Sequence, residues 1–236
     1  ERVQEIRPLP KSFSYTLGPL KRHRVITNYL LYEKLNLFID NFTLKGLNKE
    51  KLKKNIINKI FIDLTSDYII IHLGLVNNKN INKTLNMDSW TTLIKNVLKN
   101  FNLKIVLIGS KSEIQNIKII NGRLSKSEYI LDLVGKTNLK DVPNLINQSQ
   151  FAVGVDTGLT HISLSIGNPT IAIFGSTKPY TNPVLPTTKV LWLGLECSPC
   201  GRNPTCNDKF SCMTEITPSI VQKHLGILIN SNAEIK

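Results

Sequence analysis

Asp156 and His161 flank a Thr157-Gly158 turn in the string Val153-Gly-Val-Asp-Thr-Gly-Leu-Thr-His161. The apolar run from Phe151 to Val155 predicts a buried parallel strand that stops at Asp156. Leu159 to Ile166 then carries apolar residues at helical spacing. A strand that turns through glycine into a helix aims free backbone N–H groups and the positive helix end at one point, a geometry that binds phosphate. Asp156 and His161 stand at the mouth of that turn, where they can touch whatever the phosphate is attached to. Asp156 also has a plain reading as a helix N-cap. His161, one turn into the helix and leaning back towards its start, has a plain reading as a half-buried ring with satisfied nitrogens.

The elements that must position this turn follow from the alternation around it. Ile69 to Ile71 predicts a strand, and Trp90, Leu93, Ile94, Val97, Leu98 and Phe101 form a helical stripe. Lys104 to Ile108 predicts the next strand, ending at Gly109, with Ser112 as the expected cap of a helix holding Ile114, Ile117 and Ile120. A strand over Tyr129–Val134, a short helix over Asp141–Gln148 and a strand over Thr170–Phe174 complete the pattern. Strands that alternate with helices, without tight hairpins, give an α/β doubly wound parallel sheet. Ligands in such sheets sit beyond the carboxyl ends of the strands. Here those ends are His72-Leu-Gly74, Gly109-Ser110, Gly135-Lys-Thr137, Asp156-Thr-Gly158 and Gly175-Ser-Thr177, five loops of glycine and small polar residues lining one cleft. Before them, residues 1–22 are irregular, and helices are expected over Val25–Phe38 and from Asn48 to about Ile62.

The Asp156-Thr-Gly158…His161 string continues into Gly167-Asn-Pro169 and Ile173-Phe-Gly175-Ser-Thr177-Lys-Pro179. Further on come Thr181-Asn-Pro183, Cys197-Ser-Pro-Cys200 and Ile216-Thr-Pro218. Over roughly residues 68–225 the sequence resembles the sugar-nucleotide-binding half of the bacterial lipopolysaccharide heptosyltransferases, in its cysteine-bearing tail most of all the heptosyltransferase II branch. Those are inverting glycosyltransferases of the two-lobed GT-B fold. The resemblance implies a Rossmann-like C-terminal lobe at residues 66–236 and a remnant of the acceptor lobe and hinge at 1–65. It implies donor contacts at Lys83, Glu113, Thr137, Asp156, Thr157, Gly158, His161 and Thr177, with Lys178 beside the last. Lys83 corresponds to a family lysine that neutralises the diphosphate, Glu113 to an acidic residue near the ribose, and Thr137 to the base pocket. Leu85 and Asn86 stand where the family has Trp-Pro, and Lys79 is a rival for the phosphate lysine. The implied reaction transfers heptose from ADP-L-glycero-D-manno-heptose to the lipopolysaccharide inner core in one inverting displacement. It needs no cofactor if lysine and helix dipole meet the leaving charge. The resemblance places the catalytic base in the other lobe, and residues 1–65 lack that lobe's Gly-rich opening; the sequence then reads as a partial copy that is inactive alone. The other reading is a non-catalytic nucleotide-sugar-binding module.

Cys197, Cys200, Cys206 and Cys212 begin with a Cys-x2-Cys pair, which also fits a structural zinc site, although the second pair is spaced differently. The formal charge of +13 is spread among Asn and Ile rather than clustered with aromatics. It fits a codon bias, or attraction to a diphosphate donor and a phosphorylated lipid acceptor at the inner membrane face, better than nucleic-acid binding. A nicotinamide enzyme is disfavoured because no G-x-G-x-x-G follows the first strand. With no apolar run of spanning length and no signal peptide in view, the expected location is cytoplasmic and peripheral to the membrane.

Overall fold

Tyr68–His72 (β1) is an unbroken run of buried residues, the mark of a strand covered on both faces. The computed structural model describes residues 67–74, 83–124, 128–139, 142–165, 168–177, 188–201 and 203–233. The helices expected before residue 65, Lys79 and Lys178 lie outside them. Asn86 caps the helix that follows, α1 (Met87–Asn100), by accepting the Ser89 N–H at 2.8 Å. The chain then alternates through β2 (Lys104–Ile108), α2 (Ile114–Arg123), β3 (Ile130–Asp132), α3 (Val142–Asn147), β4 (Phe151–Val155), α4 (Gly158–Ser165) and β5 (Thr170–Ile173). Two elements go beyond the sequence expectation. One is the edge strand β6 (Thr188–Leu191), whose Thr-Lys start hides a four-residue run. The other, after the short α5 (Ser211–Thr214), is α6 (Pro218–Ala233). It opens on proline, which suits a first turn because no N–H is lost there.

The strands pair in the order β3-β2-β1-β4-β5-β6, all parallel. The expected doubly wound, Rossmann-like sheet is therefore present, and its strand order reverses between β1 and β4. Odd-numbered strand residues (Ile69, Ile71, Leu107, Val153, Ile171) join Trp90, Leu93 and Ile94 of α1 and Val221 and Leu225 of α6 in one large core. α3 and α4 pack together, and α4 lies on β4 and β5. Where the wound halves separate, β1 and β4 are still in register, His72 opposite Gly154.

Three expected boundaries shift for local reasons. β3 stops at Asp132 because Asp132 Oδ1 takes the Val134 N–H at 3.0 Å and turns the chain. The cap before α2 is Ser110 rather than Ser112: its N–H is bound by Glu113 Oε2 at 2.7 Å, across a 3₁₀ turn at Lys111–Glu113. α3 ends at Asn147, one residue before the expected Gln148, where the Ser149 N–H turns back to the Ile146 carbonyl at 3.0 Å.

Gly154 lets α4 approach the sheet, since a Cβ there would stand 2.3 Å from Thr160 Oγ1. That hydroxyl donates to the Val155 carbonyl at 2.6 Å and fixes the start of the helix. Gly154→Ala should therefore lower the unfolding free energy by about 1–3 kcal/mol. Gly122→Ala, in α2 with nothing within 4 Å of its Cβ, should be neutral or stabilising by up to about 1 kcal/mol. Urea unfolding of the two variants checks the contrast, and equal midpoints would refute the close-approach role of Gly154.

Candidate functional site

At the reversal of strand order the helices after neighbouring strands leave on opposite faces, which opens a crevice at the strand ends. Asp156, immediately beyond β4, stands in it with its side chain 16% exposed. A carboxylate so placed is costly unless it is hydrogen-bonded or paired. Three side chains from separate segments meet it. His161 Nε2, in α4, is 3.1 Å from Oδ1; Thr177, after β5, donates to Oδ2 at 2.6 Å; Lys83 Nζ, before α1, lies 3.5 Å from Oδ2. Burial alone would raise the Asp156 pKa. The hydrogen bonds from His161 and Thr177, with the charges of His161 and Lys83, outweigh it and bring the group to about 2. Asp156 is thus an anion that holds two basic groups at the crevice mouth. α4 begins at Gly158, so the residue directly before it is Thr157 rather than Asp156, the cap expected from sequence.

The first turn of α4 is left open. Gly158 is exposed, and a Cβ built on it meets nothing within 4 Å. Among the described residues nothing packs against that position, which leaves room for a bulky anion to come close to the helix N–H groups.

Lys83 owes its position to its neighbours. The Thr84 hydroxyl donates to the Leu73 carbonyl at 2.5 Å and accepts the Trp90 indole N–H at 3.0 Å, which ties this segment to the end of β1. Leu85 is buried and Asn86 caps α1. The two departures from the family's Trp-Pro thus fill a core position and start a helix, and Lys83 still reaches Asp156.

Below this mouth lies a second chain of contacts. His72 Nδ1 is 2.8 Å from Thr157 Oγ1, and His72 Nε2 is 3.6 Å from Glu113 Oε1. Glu113 Oε2 takes the N–H and hydroxyl of Ser110. Burial would raise the Glu113 pKa, but the His72 contact and the Ser110 bonds more than offset it, and the net direction is down. Glu113, expected beside the ribose, is 2% exposed, and its oxygens face Ser110 and His72. Likewise the Thr157 hydroxyl points at His72. His72 itself is a functional candidate that the sequence reading passes over. Its signal was a polar residue closing the apolar strand Tyr68–His72, at a carboxyl end.

Thr137 lies in the turn after β3, where Gly135 N–H bonds the Gly109 carbonyl at 2.9 Å. No hydrogen bond or ion pair joins it to the other candidates among the described residues. The cysteine segment rests on the loop after β5: Ser198 Oγ donates to the Gly175 carbonyl at 2.5 Å and Gly201 N–H to the Ser176 carbonyl at 2.7 Å. All four cysteines are free thiols. Burial first, then its neighbours Cys200, Cys197 and Cys206, push the Cys212 thiol up to about 11. Among the described residues no group of three or more His, Cys, Asp or Glu stands in a metal-holding arrangement. Of the four residues of the zinc alternative, Cys212 is buried on α5 and the other three lie in the loop before it.

The family model described as glycosyltransferase family 9 (heptosyltransferase) matches residues 21–211. A lipooligosaccharide heptosyltransferase 2 from Haemophilus influenzae is 40% identical over 58 residues, 25% of this chain and 17% of that protein. A lipopolysaccharide heptosyltransferase 1 from Campylobacter coli is 27% identical over 135 residues, 56% of this chain and 39% of that protein. The solved ADP-heptose lipopolysaccharide heptosyltransferase II of Escherichia coli superposes with a TM-score of 0.64 at 21% identity, covering 78% of this chain and 53% of that one. The fold is thus shared with one part of a GT-B glycosyltransferase, and the chain spans about half of that structure's length or less of its curated relatives.

Because the folded Asp156 pKa is depressed from 3.8 to about 2, its stabilising contribution is complete above 3.8 and is lost as pH falls towards 2. In Asp156→Asn this component of acid destabilisation should be missing. Melting temperatures of parent and variant across that interval test it, and parallel curves would mean that the carboxylate is not engaged.

Proposed function

The chain belongs to glycosyltransferase family 9, the heptosyltransferases, and on that premise we propose that it forms the donor-binding part of an inverting heptosyltransferase. Its donor is ADP-L-glycero-D-manno-heptose and its acceptor the lipopolysaccharide inner core. The observation that carries this reading is the convergence of Lys83, His161 and Thr177 on Asp156 beside the open first turn of α4. When the donor enters, its diphosphate lies over the Gly158 turn, where the helix N–H groups and Lys83 meet its charge. Asp156 accepts bonds from heptose hydroxyls while keeping His161 and Lys83 in place. As the acceptor oxygen attacks the anomeric carbon from the opposite side, the C–O bond to the diphosphate breaks and ADP leaves with the bonding pair. A base outside this chain takes the acceptor proton. Residues 1–236 by themselves then bind the donor without turning it over, and Asp156 and His161 serve binding rather than proton abstraction.

No helix among the described residues is long and apolar enough to cross a membrane. The net charge of +13 supports a peripheral contact with an anionic inner membrane face from the cytoplasmic side.

Calorimetric titration with ADP, GDP and UDP tests the proposal. ADP should bind selectively, and Lys83→Ala should weaken it about 10- to 100-fold, the worth of a charge-assisted contact. Asp156→Ala should weaken ADP-heptose more than ADP. A folded chain that binds none of the three nucleotides would sink the donor-site reading.

A further inference from the structure

Glu113, His72 and Thr157 form a carboxylate–imidazole–hydroxyl series that crosses the seam where the sheet reverses. Glu113 belongs to the turn after β2, His72 ends β1, and Thr157 belongs to the turn after β4. We propose that His72 is a positioning residue: oriented by the buried Glu113, it holds the Thr157 hydroxyl and thereby fixes the turn from which α4 presents its N–H groups to a nucleoside diphosphate. The inference rests on the donor-site reading above and deepens it.

The chemistry assigns each group its part. Glu113 is an acceptor at its Oε1, because it is held as the carboxylate and Oε2 is already taken by Ser110. The imidazole nitrogen facing it is Nε2, at 3.6 Å, and the tautomer assigned in this proposal carries its proton there. That leaves the Nδ1 lone pair to accept the Thr157 O–H at 2.8 Å. His72 has little room to adopt another pose, being 6% exposed and set against Gly154 in the neighbouring strand. Thr157 directly precedes Gly158, the first residue of α4, and its carbonyl accepts the His161 N–H at 3.1 Å. Anchoring the Thr157 side chain therefore sets the direction of the turn on both sides. The donors that receive a phosphate are backbone groups, and a fixed turn spares them reorganisation when the anion arrives. Loss of the anchor leaves the helix intact but lets its first turn wander.

A double-mutant cycle on ADP affinity distinguishes this role from mere packing. His72→Leu and Thr157→Val should each weaken ADP about tenfold, the worth of one buried hydrogen bond. The double variant should be no weaker than about tenfold, because both changes remove the same anchor. Thr157→Ser, which keeps the hydroxyl, should bind like the parent, and His72→Gln, which keeps an acceptor, should recover most of the loss. Additive losses in the cycle, or parent-like affinity in a His72→Leu chain that melts like the parent, would overturn this inference and leave the donor site standing. If His72→Leu does not fold, Thr157→Val carries the test: parent-like ADP affinity in a Thr157→Val chain that melts like the parent would overturn the inference. Absence of ADP binding by the parent would overturn the donor-site reading, and this inference with it.

Discussion

A carboxylate withdrawn from water at the end of a parallel strand is the constraint on which the rest of the site depends. Asp156 cannot stay ionised in the crevice unless donors come to it. The fold brings them from three directions: α4 through His161, the loop after β5 through Thr177, and the segment before α1 through Lys83. Each donor is therefore held where an anionic ligand can also reach it. The site is an electrostatic compromise, with one anion holding two basic groups near the start of a helix. In the proposed donor complex the diphosphate competes for Lys83 and His161, which Asp156 already orients.

The departures from the family pattern become intelligible at the level of packing. Leu85 fills the core where the family has an aromatic residue, and Asn86 supplies a helix cap where the family has proline. Trp90, further along, sends its indole N–H back to Thr84 and steadies the same segment. The requirement is that Lys83 be anchored at the end of β1, and different residues can satisfy it. The same logic explains Glu113. Its sequence position gave it a helix-starting role and a family role together. In the folded protein its two oxygens face Ser110 and His72.

The cysteine segment supports the site through its backbone. Its backbone and Ser198 lean on Gly175 and Ser176, immediately before Thr177, and so buttress the loop that holds Asp156. Cys212 contributes to the core beside Met213 and Ile216. Such support gives no local sequence signature, because it consists of bonds to carbonyl oxygens that any residue could offer.

Local chemistry was enough to read most of the elements and the turn at Asp156-Thr-Gly158, since strand and helix periods and a glycine punctuation mark are properties of short segments. The alternation also determined a doubly wound sheet with ligands at its carboxyl edge. Strand β6 was hidden by its polar start. Helix α6 carried a legible stripe, Val221, Leu225 and Leu228, that the cysteine motif beside it overshadowed. Only the tertiary structure decided which side chains share the crevice. Thr157 and His72 are 85 residues apart in the chain, yet they are bonded because β1 and β4 are neighbours at the reversal of strand order. Whether Asp156 caps its helix or gathers Lys83, His161 and Thr177 likewise depended on which loops the sheet brings to it. The hydrophobic pattern can dictate that strands will pair side by side; which polar ends then face one another follows from the order in which they pair.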